Sequence, residues 1–263
     1  ERRLSLLDPL NLEIEFDVVP RLIVTDNERQ KASEIFNHHQ LDQAKKTVMI
    51  SIIGSSANKT YPLGYMSEVV DFVSTKINAN ILFNYIPNQL ELAQKVYDHC
   101  KEETKKNIFF NLLGKDLREF IIIMDSCDFI IGNDGGAINM AKALNKPSFI
   151  IFSPWIEKRM WSTFEDGKLH DSVHLLDYQL NLFEGKTKKQ LKDNSIALYP
   201  NLKPSYFESK LSQFIDYNLA DKNKKTIPTN FNNLYAQHKI FPLSAVIITY
   251  NEEEHLEKCL ASL

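Results

Sequence analysis

Two short runs of this 263-residue sequence carry the residue types that hold a phosphorylated ligand. The first is Gly54-Ser55-Ser56-Ala57-Asn58-Lys59-Thr60-Tyr61-Pro62-Leu63. Small residues let a ligand approach the backbone, the hydroxyls of Ser55 and Ser56 can donate to phosphate oxygens, and Lys59 supplies a cation. The same composition also suits an ordinary connection whose lysine is solvated. The second run is Gly132-Asn133-Asp134-Gly135-Gly136-Ala137, directly before a helical stretch. Two glycines at a helix N-terminus expose backbone N–H groups to an anion, and the helix dipole adds to the attraction. A simpler role exists here too, with Asp134 capping the helix and the glycines making the turn. The pattern is neither GxGxxG nor a Walker loop.

Other chemistry-bearing residues give weaker patterns. His38-His39 and the pair His170 and His174 have no carboxylate or cysteine at metal-ligand spacing, and surface histidines are expected. Trp155 and Trp161 could stack on a base or sugar, but packing of their own loop is the preferred reading. The clusters Lys186, Lys188, Lys189, Lys192 and Lys222, Lys224, Lys225 read as solvated runs, with anionic lipid as an alternative partner.

Both loops sit where strands should end. Residues 47–54 (TVMISIIG) form a β-branched run ending in glycine. Met66, Val69, Val70, Val73 and Ile77 then recur at helical spacing, and residues 79–85 read as a strand. Leu92, Ala93, Val96, Tyr97 and Cys100 give a second helical stripe. Further on come strands at 107–110, 128–132 and 148–152 and helices at 117–126 and 137–144. Thr25 and Glu28 have capping-box spacing before a helix ending near His38, and residues 203–219 carry another helical stripe. Short apolar strands separated by helices predict a parallel sheet covered on both faces, an α/β, doubly wound, Rossmann-like layer structure. In such sheets ligands bind at the carboxyl ends of strands, where strand order reverses.

Composition sets the bounds. Hydrophobic residues are 43% and charged residues 25%, a globular balance that excludes a disordered chain. A net charge of -3 gives no global basic field for nucleic acid. Cys100, Cys127 and Cys259 lie far apart and read as reduced thiols in a cytoplasmic protein. The most apolar window, residues 120–132, is broken by Asp125 and Asp128 and too short to span a bilayer, so any membrane work would be peripheral. The chain opens on Glu1 without a basic-then-apolar leader and is expected to be a fragment or processed product.

Taken in order, Ser55/Ser56, Lys59, Tyr61-Pro62-Leu63, Asn133-Asp134-Gly135-Gly136, Ala141-Lys142-Ala143-Leu144-Asn145-Lys146-Pro147 and Phe152-Ser153-Pro154 resemble the C-terminal half of the family 9 glycosyltransferases, the ADP-heptose:lipopolysaccharide heptosyltransferases. The likeness covers about residues 1–200, and residues 3–10 (RLSLLDPL) resemble the family's interdomain connector. The family's histidine falls at Asn139 here, the Trp of its Lys-x-Trp-Pro at Tyr61, the Ser/Thr after its Asp at Gly135, and the Gly of its Phe-Gly-Pro at Ser153.

The resemblance implies the C-terminal domain of a GT-B fold, binding a nucleotide-diphosphate sugar such as ADP-heptose for metal-independent inverting transfer. The acceptor would be lipopolysaccharide or another surface glycan. Ser55, Ser56, Lys59, Asp134, Gly135, Gly136 and Asn139 would contact the donor, with no cofactor in this domain. The catalytic base would come from an N-terminal domain, so this chain alone would transfer nothing. A glycolipid or oligosaccharide acceptor would be the second partner, nucleic acid none, and the cytoplasm or its membrane face the location. Two alternatives stand: a non-catalytic nucleotide- or sugar-binding module, and another GT-B-like nucleotide-sugar enzyme such as an epimerase.

The expected organisation is a connector over residues 1–25, a donor-binding domain over 26–220 and a polar, Lys/Asn-rich linker over 221–242. Residues 243–263, with Thr249, Tyr250, Asn251 and Glu252, resemble the opening of a family 2 (GT-A) glycosyltransferase. Those four residues would form a second nucleotide site, and a divalent metal would enter only with the remainder of that domain.

Overall fold

The computed structural model describes residues 21–220. The expected connector motif at residues 3–10, the linker and the family 2-like segment with Thr249, Tyr250, Asn251 and Glu252 lie outside the described residues.

Helix α1 (Asp26–His38) starts at the capping box read from the sequence. Thr25 N donates to Glu28 Oε2 at 2.8 Å, and Glu28 N donates back to Thr25 Oγ1 at 3.4 Å. Alternation then follows: β1 (Thr47–Ser51), α2 (Leu63–Ile77), β2 (Asn80–Asn84), α3 (Leu90–His99), α4 (Glu102–Lys105) and β3 (Ile108–Phe109). The second half is α5 (Leu117–Ser126), β4 (Phe129–Asn133), α6 (Gly136–Ala143), β5 (Ser148–Ile151), α7 (Lys158–Trp161), β6 (His170–Val173), α8 (Lys188–Asp193), α9 (Ser195–Leu198) and α10 (Pro204–Ala220).

The six strands form one parallel sheet in the order β3-β2-β1-β4-β5-β6. The doubly wound expectation therefore holds, and the reversal of order falls between β1 and β4. Both faces are covered. Val48 and Ile50 pack with Val69 and Val73 of α2 and with Leu211 and Phe214 of α10. Met49 and Ile130 point the other way, into Phe36 of α1, Ile123 and Met124 of α5 and Ile138 of α6. Alternating side chains of the same strand thus enter two apolar layers, each buried Val or Ile contributing about 1.5–3 kcal/mol.

Strand β6 has no counterpart among the strands expected from the sequence, because its residues, His170, Asp171, Ser172 and Val173, carry no apolar run. It pairs with β5 in parallel, and its polar side chains are buried with partners. The His170 ring lies 2.9 Å from Ser148 Oγ, Asp171 pairs with Lys210 at 2.8 Å, and Ser172 Oγ donates to Glu165. The surface placement expected for His170 and His174 is corrected: both are buried, and burial pushes the His170 imidazole down to about 4. His38 and His39 are exposed as expected. Among the described residues no helix is long and apolar enough to cross a membrane.

At the reversal point Gly132 adopts φ +132°, and a Cβ there would stand 2.3 Å from the Ser51 carbonyl oxygen. Only glycine lets β4 run this close to β1. Gly132→Ala combines strain and overlap and is expected to cost about 2–4 kcal/mol of stability. Urea unfolding measures this directly; an unshifted midpoint would contradict the close approach.

Candidate functional site

The loop after β1 is bound tightly to itself and to its neighbours. A Cβ on Gly54 would lie 2.3 Å from the Lys59 carbonyl oxygen, so glycine permits the sharp return of the chain. Lys59 N donates to Ser56 O at 2.9 Å and Thr60 Oγ1 donates to Ser56 O at 2.9 Å, closing a single helical turn over Ala57–Lys59. The carbonyl oxygen of Asn58 accepts from the hydroxyls of Ser153, after β5, and Ser195, at the start of α9. Tyr61 N donates to Asn133 Oδ1 at 2.7 Å, while Asn133 Nδ2 donates to Ser51 O at 2.9 Å. One buried amide therefore ties the end of β4 to both ends of the first loop. Tyr61 itself is fully buried, its hydroxyl donating to the Leu202 carbonyl and its ring set edge-on to Tyr199.

This framework brings the two runs together. Lys59 Nζ lies 3.1 Å from Asp134 Oδ2, with side-chain exposures of 18% and 9%. The solvated-lysine reading of Lys59 is thereby corrected. The ammonium also lies 5.7 Å from the ring centroids of both Trp155 and Trp161, within cation–π range. Lys192 of α8 covers the other indole neighbour, 5.1 Å from Trp155. The packing expectation for the tryptophans holds for Trp155, which rests against the α1–α5–α6 layer, whereas Trp161 is 46% exposed.

Asp134 does not cap α6. The N-cap position is Gly135, in extended backbone, and no side chain bonds to the first turn. A Cβ added at either Gly135 or Gly136 would meet nothing within 4 Å. The start of α6 thus presents open space over its free N–H groups, the feature that favours an anion. Asn139 lies exposed one turn along. Ser55 and Ser56 are exposed on the facing loop, where Ser56 Oγ donates to Asn58 Oδ1 at 2.7 Å. Lys59 and Asp134 are in contact; Ser55, Ser56, Gly135, Gly136 and Asn139 stand on the two loops and the helix that this contact joins.

Sequence reasoning missed the supporting residues. Asn133 and Ser153 stood inside quoted motifs without an assigned role, and Ser195 gave no signal because its partner is 137 residues away. A cation, a carboxylate, two indoles and a helix N-terminus at strand ends can together hold a phosphorylated, hydroxyl-bearing ligand.

The chain is similar to known proteins in sequence and in fold. The family model for glycosyltransferase family 9 (heptosyltransferase) matches residues 1–164. Lipopolysaccharide heptosyltransferase 1 of Campylobacter coli is 30% identical over 154 residues, 55% of this chain and 41% of that protein. Among solved structures, E. coli ADP-heptose lps heptosyltransferase II gives a TM-score of 0.53 at 17% identity, over 73% of this chain and 56% of that one. The family 9 glycosyl transferase of Veillonella parvula DSM 2008 gives 0.57 at 15% identity, over 76% and 54%. These structures establish a shared GT-B-like α/β fold. The chain spans 41% of the curated relative's length and 56% and 54% of the two solved chains. Since the family model covers more than half of the sequence, the chain belongs to glycosyltransferase family 9.

Proposed function

We propose that residues 26–220 form the donor-binding domain of a glycosyltransferase that takes a nucleotide-diphosphate sugar, ADP-heptose or a close analogue. The observation that carries this reading is the Lys59–Asp134 contact at 3.1 Å, placed where strand order reverses and beside the uncapped start of α6. The family and the name of the Campylobacter relative support a heptosyl-type donor and a lipopolysaccharide acceptor.

In this reading Lys59 and the N–H groups at the start of α6 hold the diphosphate. Transfer to an acceptor hydroxyl leaves a nucleoside diphosphate whose terminal oxygen gains charge as the glycosidic bond breaks. A fixed ammonium and aligned N–H groups stabilise that charge without reorganising, which lowers the barrier. Asp134 gives up part of its contact with Lys59 to the phosphate and accepts hydroxyl donors from the sugar instead. Ser55, Ser56 and Asn139 contact the donor from the rims. The acceptor and the catalytic base are supplied from outside residues 26–220, so the isolated chain binds donor without transferring. Residues 243–263 open a second, family 2-like domain after the 221–242 linker, and the protein works in the cytoplasm at the membrane face where glycolipid is made.

Calorimetry with ADP, UDP and GDP, and with their sugars, is expected to show binding by at least one pair; silence with all of them would overturn the reading. Lys59→Ala should weaken that binding about 5- to 150-fold, or about 1–3 kcal/mol, the loss of a charge-assisted hydrogen bond. It should also lower the melting temperature, because Asp134 then keeps a buried charge without its partner, and Lys59→Ala/Asp134→Asn should regain part of the loss. Unchanged affinity in Lys59→Ala would remove Lys59 from the site.

Gly136→Val tests the space above α6. A Cβ there meets no protein atom within 4 Å, so the melting temperature should hold while nucleotide binding is lost. Binding at wild-type strength would show that the ligand does not use this space.

A further inference from the structure

The segment between β5 and β6 holds one residue in an unfavourable conformation. Phe164 has φ +63°, a left-handed backbone that bulky side chains rarely adopt, and the residue is 48% exposed. A half-exposed residue supplies little packing to offset the strain, so the neighbouring contacts must hold the conformation. Both neighbours of Phe164 are gripped by one group. Lys142 Nζ donates to the Thr163 carbonyl oxygen at 2.7 Å and lies 3.5 Å from Glu165 Oε1. Glu165 Oε2 in turn accepts from Ser172 Oγ of β6 at 2.5 Å. Lys142 belongs to α6, the helix whose first turn opens the candidate site, and its side chain is 6% exposed. A lysine offers three donors, enough to satisfy a carbonyl and a carboxylate together.

The same segment carries Trp161, whose ring stands over Lys59. At its other end Lys158 Nζ pairs with Asp177 at 2.7 Å. The strap is therefore pinned on both sides of the indole. Burial lowers the pKa of Lys142, and the charges of Glu165 and Asp134 oppose that change. The cation that grips the strap is thus within electrostatic reach of the carboxylate that pairs with Lys59.

We propose that Lys142 is a positioning residue: by pinning the strained Thr163–Phe164–Glu165 turn it holds the Trp161 ring over Lys59 and so fixes where the Lys59 ammonium points. The consequence for ligand affinity rests on the reading of Lys59 as a diphosphate-binding group; the placement of Trp161 does not. An ammonium held in place by its ring contacts loses fewer orientations when a phosphate arrives, which strengthens binding without a new contact.

The two tryptophans make this measurable, since they are the only ones in the chain. In a Trp155→Phe background of the full 263-residue chain, Trp161 is the sole indole. Acrylamide quenching of its fluorescence should rise at least about twofold in Lys142→Met, as the ring leaves its place over Lys59. Unchanged quenching would overturn the proposal, and this readout needs no nucleotide. If wild type binds ADP, Lys142→Met should weaken that binding about 3- to 10-fold and should add nothing in a Trp161→Ala background. Additive losses would show that Lys142 acts by some route other than Trp161 and would also overturn it. Should Lys142→Met fail to fold, Glu165→Gln removes the ion pair alone and should still raise the quenching; no rise there counts against the proposal. Absence of ADP binding in wild type with the quenching change intact would fault the donor-site reading and leave the role of Lys142 in place.

Discussion

A single ion pair organises the site, because it joins two loops through residues 75 positions apart in the chain. Lys59 arrives on a loop folded back on Gly54, and Asp134 arrives at the end of β4, where Gly132 lets that strand lie close to β1. Neither charge is left in bulk water, and each is the other's compensation. Desolvated charges demand such a partner, so the surrounding backbone has little freedom to place them elsewhere. The buried amide of Asn133 and the hydroxyls of Ser153 and Ser195 enforce that placement by fixing the loop that carries Lys59.

The same pairing explains why the start of α6 is bare. A carboxylate before two glycines is the usual means of capping a helix, yet Asp134 is drawn to Lys59 and Gly135 takes the cap position with no side chain to offer. The first-turn N–H groups therefore keep their capacity for an external acceptor. A charge used to hold one loop leaves the donors of the next element uncapped, and the Trp161 ring stands 5.7 Å from the same cation.

Much of this fold was legible in the sequence. The β-branched runs at β1, β4 and β5 and the helical stripes of α2, α3 and α5 are strong periodic signals, because a parallel sheet buries both faces of its strands. The capping box at Thr25 fixed the start of α1. Strand β6 was hidden because His170, Asp171 and Ser172 take their places in the sheet through partners that are themselves dispersed: Ser148, Lys210 and Glu165. The two loops of the candidate site could be located by composition and order. That Asp134 would pair with Lys59 instead of capping α6 could not, since this depends on whether a lysine 75 positions earlier reaches it. Ser195 and Lys142 were silent because each donates to the backbone carbonyl of a residue distant in the chain, and a carbonyl leaves no trace in side-chain spacing.

In the proposed function an anionic ligand enters between Lys59 and the start of α6 and takes over part of the bond that Asp134 now makes. A crystal structure of the chain with ADP bound tests this most directly. Diphosphate oxygens are expected within hydrogen-bond distance of Lys59 Nζ and of the N–H groups of Gly135 and Gly136, with the Asp134 carboxylate displaced from its 3.1 Å contact. ADP seated elsewhere, with the Lys59–Asp134 pair intact and no phosphate oxygen at the start of α6, would contradict it.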